Sequence, residues 1–401
     1  EDTYIKSNVL NSYHQPRVQH FHQTISEAME EQRQKAETFL KSLSDLSQKI
    51  CRLWPHGVVS VSAELRKHLV ELYDVTNLFN GLPYSVKEEY KRKAGEVLIN
   101  SGLIALLCEK ATPWLENKLY DVTDVIWALH VCTLGSKILL KKDGDLHRLL
   151  TLMVNLLKES FFDHMAGTLQ QGGDAVLELS LAVLNGLAEV EENKQHIHLP
   201  SILSVLKAYS MSENERVYNY AIITMALLET ERRADIFSPN HDTVQFLLGQ
   251  LKALEREGFN PHRKLAGVFG AICVLTQNPG NRELLVQGGV LPYLEKGLAK
   301  CVSENNREET ATCSNITISL HYLTLAERNK AEIMKHKQLL DSLASIHFDQ
   351  CHSHHPDCIV VAKCALSNLG MNPQDLSNDG PRRTGEEYVS TSVFILEFFL
   401  I

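Results

Sequence analysis

The sequence predicts an all-α protein assembled from a repeated helical unit. Three observations carry this. Apolar residues recur at three- and four-residue steps along most of the 401-residue chain, the period of one helical face. The strict alternation of a half-buried strand is rare until the last stretch. A pattern of short helix, small or polar break and second helix returns six times. Composition agrees, because 44% hydrophobic and 22% charged residues describe a globular chain, neither disordered nor collagenous.

Residues 1–80 read as a helical N-terminal cap region. Thr24-Ile-Ser-Glu27 offers a capping box. Ala36, Phe39, Leu43, Leu46, Ile50 and Leu53 then fall on one stripe. Trp54-Pro-His-Gly57 ends the helix, since Pro lacks a donor and Gly permits reversal. Sustained heptads are too few for a coiled coil, so the helix is expected to pack on its own domain.

The repeat starts near residues 94, 136, 193, 234, 281 and 329, at spacings of 42, 57, 41, 47 and 48. Its best copy is Asn281-Arg-Glu-Leu-Leu-Val-Gln-Gly-Gly-Val-Leu-Pro-Tyr-Leu294. Others begin at Ala94, Ser136, Asn193 and Asn329, with a weaker one near Ala234. The widest gap holds a polar, glycine-rich insert, Gly167-Thr-Leu-Gln-Gln-Gly-Gly-Asp174. The period matches the roughly 40–47 residues of armadillo or HEAT units, whose apolar faces are covered only by stacking on neighbours.

The segments before these starts include Val125–Cys132, Leu181–Ala188, Ala266–Leu275, Ile318–Leu323 and Cys364–Gly370. Ala365-Leu-Ser-Asn-Leu369 and Trp127-Ala-Leu129 resemble the third helix of armadillo repeats, which precedes an Asn-anchored short helix. The resemblance spans roughly residues 80–375. It implies an armadillo-like right-handed superhelix of about six repeats over 81–375, with two-helix HEAT units as the structural alternative. It also implies that the third helices line a concave groove. In nuclear-import members a Trp and Asn ladder there clamps a basic peptide. Here Trp127 and Asn368 meet that pattern, while Val131, Gly186, Val274 and Tyr322 occupy the other Asn positions, which argues against that mode. Trp127 is expected in the core. Groove-facing candidates are His130, Asn185, Arg216 and Tyr220, followed by Arg263, Lys264, His321 and Asn368.

Nothing in the sequence carries an obvious chemistry. The chain has no phosphate-binding glycine loop, no H-E-x-x-H, no G-x-S-x-G and no C-x-x-C. No cofactor, metal or catalytic residue is expected. Cys351-His-Ser-His-His-Pro-Asp-Cys358 groups zinc-type ligands, but its spacing fits no standard zinc site, so a polar loop is the expectation. Nine cysteines, odd in number and mostly scattered among apolar residues, fit reduced thiols in the cytoplasm. There is no membrane-span-length apolar run and no signal-peptide pattern. A net charge of −9 argues against nucleic acid as main partner. The first residue is Glu, which fits numbering that begins inside a longer protein.

Residues 376–401 read as a linker around Gly380-Pro-Arg-Arg383 and a strand-like apolar tail, Val389–Ile401. The tail is either buried on the repeats or the start of a truncated domain. The functional expectation is a non-enzymatic scaffold or adaptor whose partner is a protein, presented as an extended peptide, a helix or a small GTPase. The alternative is a regulatory armadillo module of a larger signalling protein with a C-terminal effector domain.

Overall fold

The structure is a computed structural model and describes residues 29–54, 61–80, 82, 84–117, 122–141, 144–197, 199–229, 241–256, 262–304, 310–347 and 356–371. Among them every regular element is helical and no strand occurs. The Thr24 capping box, the Ala234 start, residues 351–355 of the Cys351–Cys358 cluster and the apolar tail lie outside the described residues, while Pro356, Asp357 and Cys358 already belong to a helix.

Helix α1 covers residues 29–53. Ala36, Leu40, Leu43, Ser47 and Ile50 are its most deeply buried positions. It packs on its own domain, as its short heptad run predicts. Phe39 meets Phe79 edge-on at 6.0 Å, the Tyr90 hydroxyl donates to Glu37 at 2.8 Å, and the Cys51 thiol reaches the Ser101 carbonyl. Trp54 closes the helix with 1% exposure, and the Lys110 ammonium sits 5.2 Å from its ring centre.

From α2 (Ala63–Asn80) onward the chain builds rows of helices. One row runs α2, α5 (Thr123–Leu134), α7 (Gly173–Ala188), α9 (Glu215–Glu229), α11 (His262–Gln277), α14 (Thr310–Thr324) and α17 (Pro356–Asn368), each packed on the next. The second row contains α4 (Leu103–Glu116), α6 (Asp145–Ala166), α8 (Leu199–Tyr209), α10 (His241–Arg256), α13 (Leu291–Glu304) and α16 (Lys337–His347). Within it α4 packs on α6, α6 on α8, and α13 on α16. Connecting elements return the chain between rows: the long α3 (Tyr84–Asn100) and three short ones, a 3₁₀ turn (Glu191–His196), α12 (Pro279–Gln287) and α15 (Glu327–Ile333). One apolar core continues from α1 to α17.

A buried asparagine recurs at the reversals. Asn193, Asn281 and Asn329 are at most 3% exposed. Each donates its side-chain amide to the carbonyl six residues earlier, Leu187, Leu275 or Leu323. This satisfies a carbonyl that the preceding helix end leaves orphaned, and it fixes a sharp reversal. Asn193 and Asn329 also reach back one unit, to the carbonyls of Ile138 and Arg282. A second device caps the row helices. Thr76, Thr133, Thr276 and Thr324 each donate the hydroxyl to the carbonyl three residues back.

Two local expectations are corrected. The start at Ser136 was expected to be a short helix, yet residues 137–141 are not helical. Ser136 stands where the copies at 193, 281 and 329 carry Asn, and its hydroxyl bonds back to Cys132, so no buried amide anchors a new helix. The segment instead pairs with its neighbours, Lys137 N–H donating to Lys91 and Leu140 N–H to the Asn193 side chain. The wide repeat gap is only partly a loop. Gly167, at φ 66°, ends the 22-residue α6, and Gly173-Asp174 already belong to α7. Close packing also sets one residue type: a Cβ on Gly186 would lie 2.8 Å from the Thr133 side chain and 3.0 Å from its carbonyl.

Candidate functional site

The first row of helices carries a continuous group of part-exposed aromatic rings near its N-terminal end. Tyr73 on α2 is 39% exposed and stacks on Trp127 of α5, ring centres 6.4 Å apart. One turn along α5, His130 meets Tyr220 of α9 edge-on at 6.2 Å. The two rings meet across α7, whose stripe there carries Glu178, Ala182 and Asn185 at helical steps. Glu178 pairs with Arg216 at 3.0 Å. Burial is the main cause of the raised pKa of Tyr220, with smaller effects from the charges of Glu178, which raises it, and Arg216, which lowers it. Burial pushes His130 down, so its ring is neutral near pH 7, and its Nδ1 carries no hydrogen bond among the described residues.

Four of the predicted residues therefore gather around this patch: His130, Arg216 and Tyr220 directly, Asn185 on the adjoining stripe. Trp127, expected in the core, is only partly buried. It stands beside α2, the first described helix of the row, where Tyr73 covers one side. Tyr73 and Glu178 are additions from the structure. Tyr73 precedes the first recognisable repeat, so no repeat pattern marks it, and a lone Glu on a helix gives no signal.

Asn185, beside the patch, and the predicted residues away from it are otherwise engaged. The side-chain amide of Asn185 donates to Thr224 and that of Asn368 to Thr324, both at 3.1 Å, so each ties neighbouring row helices together. Lys264 lies over the Tyr218 ring at 5.3 Å and pairs with Glu213. The Arg263 side chain lies outside the described residues. His321 is buried, at 6% exposure, rather than facing outward. Its ring packs against Tyr322, and burial, helped by the nearby charge of Arg282, pushes its pKa down to about 4.

That shift has a consequence for stability. An unfolded histidine titrates near 6.5, so between about 6.5 and about 4 the unfolded chain takes up a proton at His321 that the folded chain refuses. Stability is full above this window and falls as pH drops through it. The loss at this site is on the order of 3 kcal/mol. Urea unfolding at pH 7 and pH 4.5 should show a smaller loss for His321→Phe than for the parent chain. Equal losses would mean that His321 titrates normally.

No group of three or more His, Cys, Asp or Glu side chains able to hold a metal occurs among the described residues. Eight described cysteines carry free thiols, and burial pushes Cys108 up to about 12, far from a reactive thiolate. No described helix is long and apolar enough to cross a membrane. The patch can supply stacking, edge contacts and hydrogen bonds, the chemistry of recognition. The sequence matches no protein-family model and no curated protein at a significant level.

Proposed function

We propose that this chain is an armadillo-like repeat protein that acts as a non-enzymatic scaffold or adaptor, docking a protein partner along its first row of helices. One observation carries the reading: the Tyr73–Trp127–His130–Tyr220 group, part-exposed aromatic surface spread over three helices of that row. Aromatic residues supply most hot spots at protein interfaces, because they bury large area with few rotamers to freeze. The ladder of row helices, with Asn-anchored reversals between them, supports the armadillo-like assignment. The face would be the concave one, and the reduced thiols fit a cytoplasmic setting.

The test is a Tyr73→Ala/Trp127→Ala/Tyr220→Ala variant used beside the parent chain as bait, with captured proteins quantified by mass spectrometry. A partner bound by the parent should fall at least tenfold with the variant, while circular dichroism shows unchanged helicity. Undiminished capture by a folded variant would move the interface off this face.

A further inference from the structure

Arg282 differs from the other arginines that join neighbouring helices. Arg66, Arg92, Arg148, Arg216 and Arg328 each meet a carboxylate of another element at 2.6–3.3 Å. Arg282, on α12, is half-buried and has no carboxylate within ion-pair distance among the described residues. Its Nε donates to the Thr276 carbonyl at 2.9 Å and one Nη to the Gln277 carbonyl at 3.3 Å. These are the terminal carbonyls of α11, and a cation there is favourable with the helix dipole. The guanidinium carbon stands 5.5 Å from the Tyr322 ring centre, so the plane is held from a third direction. The second Nη carries no hydrogen bond among the described residues. The guanidinium is thus immobilised on one edge, and its outer edge has donors to spare. The adjoining acid, Glu283, is already engaged by Arg328.

We propose that this corner is an anion-recognition point that takes a side-chain carboxylate, Asp or Glu, of a protein partner. Three features favour a carboxylate monoanion over a phosphate dianion. The outer edge of a guanidinium matches the two oxygens of one planar carboxylate. The α11 carbonyls beside it carry the negative end of the helix dipole, which opposes a second negative charge. His321, the neighbouring base, is neutral at physiological pH and adds no positive charge. Tyr322 lies on α14, a helix of the first row, so the corner borders the row that the proposed partner would follow. The inference rests on the interaction-face reading for its biological meaning, while its test does not.

The probe is a fluorescein-labelled (Gly-Ser-Glu)4 peptide, read by anisotropy against the full chain at low salt. Two companion peptides replace Glu by Gln or by phosphoserine. The Glu peptide should bind, the Gln peptide should bind at least tenfold more weakly, and Arg282→Gln should lose the Glu preference. Arg282→Lys keeps the charge but not the fork, and should retain part of it. Trp127→Ala should leave it unchanged, which separates this site from the aromatic patch. Glu-peptide affinity equal in the parent and a folded Arg282→Gln overturns the proposal, as does no binding at all. Tighter binding of the phosphoserine peptide overturns the carboxylate assignment in favour of a phosphate.

Discussion

Asn193→Ala is expected to cost about 3 kcal/mol of unfolding free energy, several times the effect of a surface change. The side chain is fully buried and makes three hydrogen bonds. Its oxygen accepts from Leu140 N–H, and its amide donates to the carbonyls of Ile138 and Leu187. Alanine removes all three at once and leaves one donor and two acceptors in a place that water does not reach. A buried unpaired polar group costs on the order of 1–3 kcal/mol. The natural control is Glu192→Ala, one residue earlier, which loses only an exposed pair with Arg92 and should cost less than about 1 kcal/mol. Urea unfolding of both variants decides it. A loss below about 1 kcal/mol for Asn193→Ala would mean that the 137–141 segment is not held through this amide.

The same residue shows why the repeat was readable in the sequence. A side-chain amide that must clamp a reversal from inside the core has few substitutes, so Asn reappears at 193, 281 and 329, each followed by a second-row helix. Apolar periodicity supplied the rest, because stacked rows leave each helix one solvent face at most. The reading failed where the clamp is missing. With Ser136 in the Asn position, an apolar run looks like a helix but is held as an irregular segment by partners from two other units. In α1 the chosen stripe included Phe39 and Leu46, yet Leu40 and Ser47 lie deeper. Both pairs of positions satisfy a helical period, and only the placement of α2 and α3 selects between them.

The candidate site was legible in residue type more than in arrangement. His130, Arg216 and Tyr220 stand out as polar or aromatic residues on row helices, whereas Trp127, expected in the core, is only partly buried. What the sequence does not show is the pairing across helices, Tyr73 on Trp127, His130 on Tyr220 and Glu178 on Arg216. His321 is buried although its polarity suggests exposure, because a neutral imidazole is tolerated in a core. Arg282 gave no signal at all. Its distinction is the lack of a carboxylate partner among the described residues, a lack that exists only in three dimensions.

Gly95→Ala should also destabilise strongly, against the direction that helix propensity sets. Gly95 lies inside α3, where Ala in place of Gly ordinarily gains about 1 kcal/mol. Here the irregular 137–141 segment crosses directly over the glycine. Lys137 N–H donates to Lys91 at 2.8 Å, and its ammonium pairs with Glu88, so the crossing is pinned one turn and two turns before Gly95. An added Cβ would fall well inside contact distance of the Lys137 carbonyl, which is backbone and has no rotamer by which to escape. Relief requires moving the segment, which also carries buried Ile138 and Leu140 and two of the groups that Asn193 satisfies. The overpacking cost of about 1–3 kcal/mol should therefore exceed the propensity gain. The contrast is Gly249→Ala in α10, where an added Cβ meets nothing within 4 Å and a gain of about 0.5–1 kcal/mol is expected. Because Gly95 and Asn193 hold the same segment, the double variant should lose less than the two single losses combined. Opposite signs for the two glycines, together with that non-additivity, are the expected result. A stabilised Gly95→Ala would show that α3 and the 137–141 segment do not touch as described.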